Sequence, residues 1–177
     1  VQQTNLAVAD PLTIDLPPTE QRFMGSEGIS SHGLELDIAG EILPGLNASI
    51  GITDFSISGD ELVSSYTPSK MLKMGAVYTL QNVAGLSVGA NIRWQDDISR
   101  SQGVVGEEFD NVGQEIITQQ DAYAVADILV KYELNDAITI NLNVFNITDE
   151  KYLTGLYWAQ SYYAAPRTFS ATLSWSL

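Results

Sequence analysis

The chain alternates apolar and polar residues over seven segments, a period of two that is typical of β-strands with one apolar and one polar face. In one segment Leu86, Val88, Ala90, Ile92 and Trp94 alternate with polar or small residues. The segments span residues 34–42, 47–53, 71–80, 86–95, 123–132, 138–144 and 169–177. With a ragged extended piece near residues 2–9, the pattern predicts about eight strands and no helix.

The connections between these strands alternate in length. Short turns are predicted at 43–46, 81–85 and 133–137, and long polar loops at about 10–21, 58–69, 98–120 and 148–166. Such alternation places every short turn at one end of an antiparallel meander. Strands of about ten residues are long enough to cross a bilayer when tilted. The sequence therefore predicts an all-β, antiparallel transmembrane β-barrel with short periplasmic turns and long extracellular loops.

A soluble β-sandwich is the alternative fold, because it produces the same period of two. The polar face of most strands carries Asn, Ser, Thr, Gly, Asp or Lys, which suits either bulk solvent or a watery lumen. Aromatic residues near the ends of the apolar faces are typical of the girdles at membrane interfaces, and they favour the barrel: Tyr78, Trp94, Tyr132 and Trp175.

Composition excludes several classes of function. The net charge of −14, from 22 acidic and 8 basic residues, argues against nucleic acid as a partner. The absence of cysteine and the single histidine, His32, exclude thiolate and multi-histidine metal centres. Neighbouring carboxylates such as Asp96 and Asp97 would point to opposite faces of a strand, and no nucleophile motif is present. We expect no catalytic residues, no cofactor and no enzymatic activity.

Five motifs in the right order resemble those of one family, the TonB-dependent receptors. Residues 141–152, NLNVFNITDEKY, resemble the family signature N-x-x-N-l-f-D-x-x-Y on the penultimate strand. Residues 162–169, YYAAPRTF, are similar to the Y-x-x-G-a-P-R segment that precedes the final strand. Three further segments resemble family strands or loops: SHGLELD at 31–37, TPSK at 67–70 and AYAVADILVKY at 122–132.

The resemblance implies that residues 1–177 are the C-terminal part of a larger barrel, about eight strands out of roughly 22, without the plug domain and the N-terminal strands. It implies a location in the bacterial outer membrane and the binding and import of a ferric siderophore, with the Fe(III) complex as the transported ligand. The implied partners are the siderophore, outer-membrane lipid and the TonB complex, the last through the missing plug, and the full-length protein is expected to be monomeric. Two positions depart from the family pattern: Ala165 replaces the usual Gly, and the chain ends in Leu177 rather than Phe.

The sequence is compatible with more than one class of ligand. Residues 153–163 resemble a loop of the hydroxamate-type receptors, which implies a hydroxamate siderophore. A receptor for cobalamin, haem or a glycan is an alternative, and so is a small closed barrel with a structural or adhesive role.

An aromatic cluster in the predicted loop 148–166 is the first candidate for ligand contact, because aromatic faces suit an uncharged or anionic iron chelate. Its members are Tyr157, Trp158, Tyr162 and Tyr163. Packing within the loop, or an outer girdle, is the alternative interpretation of the cluster.

Two arginines are the other candidates for ligand contact. Arg93 is predicted on the polar face together with Lys73 and Lys131. Its alternative role is in a lumen network of neutralising charges with carboxylates on that face: Glu35, Asp37, Glu41 and Asp127. Arg167 stands at the start of the last strand, where anchoring of the loop is the alternative role.

Overall fold

A computed structural model describes residues 2–3, 7–10, 12–13, 16–17, 19–25, 29–59, 67–106, 110–156 and 161–176. These residues form twelve β-strands and no α-helix, and so no helix among them is long and apolar enough to cross a membrane. The strands are β1 Gln2–Gln3, β2 Ala7–Ala9, β3 Phe23–Gly25, β4 Ile29–Leu43, β5 Leu46–Gly59, β6 Lys70–Thr79, β7 Leu86–Gln95, β8 Ile98–Val104, β9 Glu115–Gln120, β10 Tyr123–Asn135, β11 Ile138–Phe145 and β12 Thr168–Trp175.

Eight strands form one antiparallel sheet in the order β1-β4-β5-β6-β7-β10-β11-β12. The three predicted short turns are confirmed and join β4 to β5, β6 to β7 and β10 to β11 at one end of the sheet, which we call the turn end. Gly45 and Gly85 adopt positive φ values of 82° and 77° there, a backbone conformation that side chains disfavour. The predicted antiparallel meander of about eight strands is therefore confirmed.

The described part of the structure contains three strands that the sequence pattern did not reveal, two of them within the predicted long loop 98–120. Residues 98–120 were expected to be a loop, but β8 and β9 pair within them as a two-stranded ribbon, which we call the ribbon. β3 was also missed, and it pairs with β2 away from the main sheet. Both pairs lie outside the large sheet, so neither needs the apolar face that made the other strands recognisable. Of the predicted loop 58–69, residues 60–66 lie outside the described residues.

The strand register confirms the predicted faces of the sheet. One row of directly paired residues runs Leu36, Ile52, Leu72 and Trp94 across β4, β5, β6 and β7 on the apolar face. The next row, on the polar face, runs Asp37, Gly51, Lys73 and Arg93 across the same strands. Neighbouring rows therefore alternate between an apolar and a polar surface, as the period of two requires.

None of the described strands packs against the apolar face of the main sheet. Within the described residues only Val125 and Leu156 are buried apolar side chains, while Leu173 is 69% and Phe169 72% exposed. A sandwich would cover this face with a second sheet, and none of the described strands does so. An apolar surface of this extent needs an apolar surrounding, which a lipid bilayer provides. The sandwich interpretation is therefore wrong.

The sheet is open among the described strands. β1 and β12 lie at its opposite edges, and β12 pairs only with β11. The described strands thus form part of a curved wall rather than the small closed barrel that the sequence left as an alternative.

Candidate functional site

The polar face of the sheet lines a cavity of about 540 Å³. Its charged side chains come from four strands and comprise two acids and two bases: Asp37, Lys73, Arg93 and Asp127. Glycine makes room for the longer side chains, since a Cβ at Gly51 would lie 2.5 Å from Oδ1 of Asp37. The arrangement leaves a polar hollow that can accept a ligand through hydrogen bonds and charge.

Arg93 connects this cavity to the segment between β11 and β12, residues 146–167, which we call the last loop. Its Nη2 donates a hydrogen bond to the Tyr152 hydroxyl oxygen (3.1 Å), and its Nη1 lies 3.8 Å from Oδ2 of Asp127. Arg93 remains 52% exposed. The predicted position of Arg93 on the polar face is confirmed, and the ion pair with Asp127 supports a charge network. Its contact with a ligand stays a prediction.

The wider charge network is incomplete. Lys131 pairs with Glu133 near the turn end. The Lys73 side chain makes no hydrogen bond or ion pair within the described part of the chain, although it lies on the predicted face. Within the described residues the cavity therefore contains a cation outside any ion pair, Lys73, and a carboxylate outside any ion pair, Asp37.

Two stacked tyrosines lie beside Arg93, at the end of β10 opposite the turn end. The rings of Tyr123 and Tyr152 lie 4.2 Å apart between centroids at an interplanar angle of 21°. The Tyr123 hydroxyl donates to Oε1 of Gln95 (3.0 Å), which ties the stack to β7. Sequence reasoning did not single out these tyrosines as site residues. The alternation placed Tyr123 on the polar face, but the path of the last loop, which brings Tyr152 there, has no local signal.

Asn146 fixes the base of the last loop. It is 4% exposed and adopts a φ of 51°, which is uncommon for a residue other than glycine. Its Nδ2 donates to the carbonyl oxygens of Glu150 (2.8 Å) and Ala165 (3.3 Å), and its Oδ1 accepts from the Glu150 N–H (2.8 Å). The Asn146 N–H donates to Oδ1 of Asp127 (2.8 Å). The side chain thereby joins the two ends of the loop, and the backbone N–H joins the loop to β10.

Arg167 closes the loop at its far end. Its backbone N–H donates to Oδ1 of Asp149 (2.8 Å), and its Nη1 donates to the Ile147 carbonyl oxygen (3.2 Å). These bonds support the anchoring role that the sequence left open. Ligand contact by Arg167 stays a prediction.

The structure describes two of the four aromatic candidates, Tyr162 and Tyr163. Tyr157 and Trp158 lie outside the described residues. Tyr162 and Tyr163 are exposed and lie on the returning arm of the loop, where Leu153 pairs with Tyr163 and the Thr154 N–H donates to the Tyr162 carbonyl oxygen (2.8 Å). Lys151 Nζ lies 4.4 Å from the centre of the Tyr163 ring, a cation–π contact. Ligand contact by this cluster stays a prediction.

The last loop also contacts the ribbon. Nε2 of Gln102 donates to the Leu156 carbonyl oxygen (3.1 Å), and the Leu153 N–H donates to Oε1 of Gln120 (2.7 Å). The Leu156 side chain is fully buried. The loop is therefore held at its base by Asn146, on the sheet by Tyr152 and on the ribbon by two glutamines.

The described residues offer binding groups rather than a catalytic or metal centre. They contain no group of three or more His, Cys, Asp or Glu side chains placed to hold a metal ion. They assemble a polar cavity lined by two cations and two carboxylates, and a pair of stacked tyrosines contacts one of the cations, Arg93. Such a site can hold a ligand noncovalently.

A family model described as TonB-dependent receptor-like β-barrel matches residues 2–147. Two curated relatives are the ferric-pyoverdine 358 receptor of Pseudomonas putida, 25% identical over 98% of this chain, and the ferripyoverdine receptor of Pseudomonas aeruginosa, 27% identical over 99%. The alignments cover 20% and 22% of those receptors, so the chain spans about a fifth of the length of the relatives it matches.

Solved structures show the same fold. The pyoverdine outer-membrane receptor of P. aeruginosa PAO1, bound to pyoverdine, matches with a TM-score of 0.85 and 23% identity over 99% of this chain and 26% of that chain. The open form of the ferric-catecholate import receptor Fiu from E. coli K12 matches with a TM-score of 0.64 and 26% identity over 84% of this chain and 21% of that chain.

Proposed function

Since this chain belongs to the TonB-dependent receptor-like β-barrel family, we propose that it forms the C-terminal wall of an outer-membrane receptor that binds and imports a ferric siderophore. The observation that carries the proposal is the agreement between that membership and the curated relatives, which are receptors for ferric pyoverdines. Members of the family are receptors and transporters rather than enzymes, and the noncovalent character of the site fits this. Import is an activity of the whole receptor, of which this chain is about a fifth of the relatives' length.

The two faces of the sheet have separate roles in the proposal. The apolar face, with side chains such as Ile38, Ile92 and Phe169 exposed, contacts the lipid of the outer membrane. The polar face lines the lumen, and the cavity beside Arg93 lies within it. The turn end faces the periplasm, and the ribbon and the last loop face the outside.

The last loop supplies the first contact with the ligand in this proposal. Its exposed tyrosines, Tyr162 and Tyr163, offer aromatic faces to an iron chelate, and Arg93 offers a charge-assisted hydrogen bond deeper in the lumen. The iron complex is cargo and forms no covalent bond with the protein. The energy for import comes from the inner membrane, through TonB and a plug domain, and the receptor acts as a monomer. A hydroxamate ligand is the narrower form of the proposal and rests on residues 153–163 alone.

Uptake of radioactive iron tests the proposal. Cells that lack their own siderophore receptors would express the full-length protein, and uptake would be compared for ferric pyoverdine, a ferric hydroxamate and a ferric catecholate. We expect energy-dependent uptake of one complex, abolished by a protonophore and by loss of TonB. Binding of labelled cobalamin, haem or an oligosaccharide without any uptake of a ferric siderophore would overturn the proposal in favour of another receptor class. Uptake of the catecholate alone would refute its hydroxamate form.

A further inference from the structure

Arg93 is shared between the sheet and the last loop. One terminal nitrogen donates to the neutral hydroxyl of Tyr152 at 3.1 Å, and the other lies 3.8 Å from Asp127, at the outer limit of an ion pair. About half of the side chain is exposed, and it lines the cavity. Its partners thus leave donor capacity on Arg93 directed towards the cavity.

A second cation lies directly beside it. Lys73 and Arg93 are paired residues of β6 and β7, and both line the cavity. The side chain of Lys73 makes no ion pair or hydrogen bond within the described ranges. Two carboxylates line the same cavity. Asp127 already accepts the Asn146 N–H, and Asp37 is separated from Lys73 by Gly51 in the paired row. An anionic group can therefore approach the two cations from the cavity without displacing a strong ion pair.

We propose that Arg93 is a latch that holds the last loop to the sheet through Tyr152, and that this latch opens when an anionic group occupies the cavity beside Lys73. In a hydrogen bond between a guanidinium and an anion both partners are charged, and the bond can be bidentate, whereas the Tyr152 hydroxyl is a neutral acceptor of a single bond. An anion that takes both terminal nitrogens of Arg93 in this bidentate arrangement displaces the Tyr152 hydroxyl from Nη2. Lys73 adds the charge that brings the anion to this position.

Release of Tyr152 frees the middle of the loop but not its base. Asn146 and Arg167 hold the two ends through bonds that do not involve Arg93. Tyr152 and Ala164 are joined by a backbone hydrogen bond, so the two arms of the loop move together. The inference goes beyond the proposed function, since it applies to any anion that reaches the cavity and can fail while siderophore uptake stands.

Limited proteolysis of the full-length protein in detergent measures the latch. Trypsin can cleave after Lys151, whose bond to Tyr152 lies next to the latch, and the peptide that begins at Tyr152 is quantified by mass spectrometry. Cleavage after the exposed Arg22 serves as the internal reference. Sodium phosphate is the anion, sodium chloride at equal ionic strength is the comparison, and no siderophore is present.

The expected results separate the latch from ordinary loop packing. Phosphate should raise cleavage of the wild type about fivefold. Tyr152→Phe keeps the ring that stacks on Tyr123 but loses the bond to Arg93, so it should be cleaved about fivefold faster in chloride, with no further effect of phosphate. Lys73→Met should lose the phosphate effect, measured as the ratio of its cleavage in phosphate to its own cleavage in chloride. Tyr78→Phe, the same change on the apolar face, should match the wild type in both salts.

Three results would overturn the inference. Phosphate could leave the wild type unchanged, which would remove the anion from the mechanism. Tyr152→Phe could be as protected as Tyr78→Phe, which would show that the hydroxyl holds nothing. Tyr152→Phe could be cleaved faster and still respond to phosphate, which would place the anion effect elsewhere.

Discussion

Replacing Asn146 with alanine should open the last loop while the sheet stays folded. The substitution removes three side-chain hydrogen bonds, two from Nδ2 to the carbonyl oxygens of Glu150 and Ala165 and one to Oδ1 from the Glu150 N–H. It also places alanine at a φ of 51°, where asparagine is better tolerated. All of these effects fall on the loop, because strand pairing between β11 and its neighbours ends before residue 146.

The size of the effect follows from these contacts. A hydrogen bond made by a buried group contributes about 1 kcal/mol, and the left-handed backbone adds about 1 kcal/mol for alanine. Together they amount to about 3–4 kcal/mol, which corresponds to a factor of roughly 100 to 1,000 in the opening equilibrium of the loop. Asn146→Gly loses the same three hydrogen bonds but tolerates the positive φ, so it should fall between alanine and the wild type.

Hydrogen exchange followed by mass spectrometry measures this opening in the full-length protein. Peptides from residues 146–156 should exchange much faster in Asn146→Ala, and peptides from β6 and β7 should not change. Asn143→Ala is the matched control, because Asn143 is on the polar face of β11 and its side chain makes no hydrogen bond within the described residues. Unchanged exchange in Asn146→Ala, or equal acceleration in Asn143→Ala, would refute the reasoning.

Two further substitutions test the faces of the sheet. Met74→Arg puts a charge in the middle of the apolar face and should destabilise the membrane-inserted barrel by about 2–4 kcal/mol, measured as a lower folded fraction on unheated gels. Asn47→Arg, on the polar face, should fold normally. Equal loss of folded protein in both variants would contradict the assignment of faces. Gly51→Val should push the Asp37 carboxylate into the cavity and weaken ligand binding several-fold, as measured by calorimetry. Gly40→Val, which has open space at its Cβ, should bind the ligand as the wild type does. Unaltered affinity in Gly51→Val would show that this cavity holds no ligand.

The parts of the fold that lie in the sheet were predictable from sequence, because each strand must present one face to an apolar surrounding and one to water. Because of that requirement, apolar and polar residues alternate along each strand. This alternation was enough to place Arg93, Lys73 and Asp127 on the same face. The ribbon lacks the constraint. Its strands run ISRSQGV and EIITQQ and pair with each other away from the sheet, so their sequence resembles a loop.

The site was only half predictable for a related reason. Alternation places a residue on a face but says nothing of the path of an irregular segment. The stack of Tyr152 on Tyr123 depends on how residues 146–152 turn, and that turn rests on the left-handed backbone of Asn146 and Asp149. Asparagine and aspartate are compatible with such a conformation but do not require it, so the contact of Tyr152 with Arg93 could not be derived from spacing.

The two ribbon glutamines that contact the last loop, Gln102 and Gln120, bind backbone atoms of the loop and not its side chains. Gln102 contacts a carbonyl oxygen and Gln120 an N–H group, and every residue type offers the first while all but proline offer the second. Positions such as Thr154 and Gly155 can therefore be exchanged without loss of this docking. The sequence at such positions can therefore vary while the last loop stays attached to the ribbon, because that attachment does not depend on their identity.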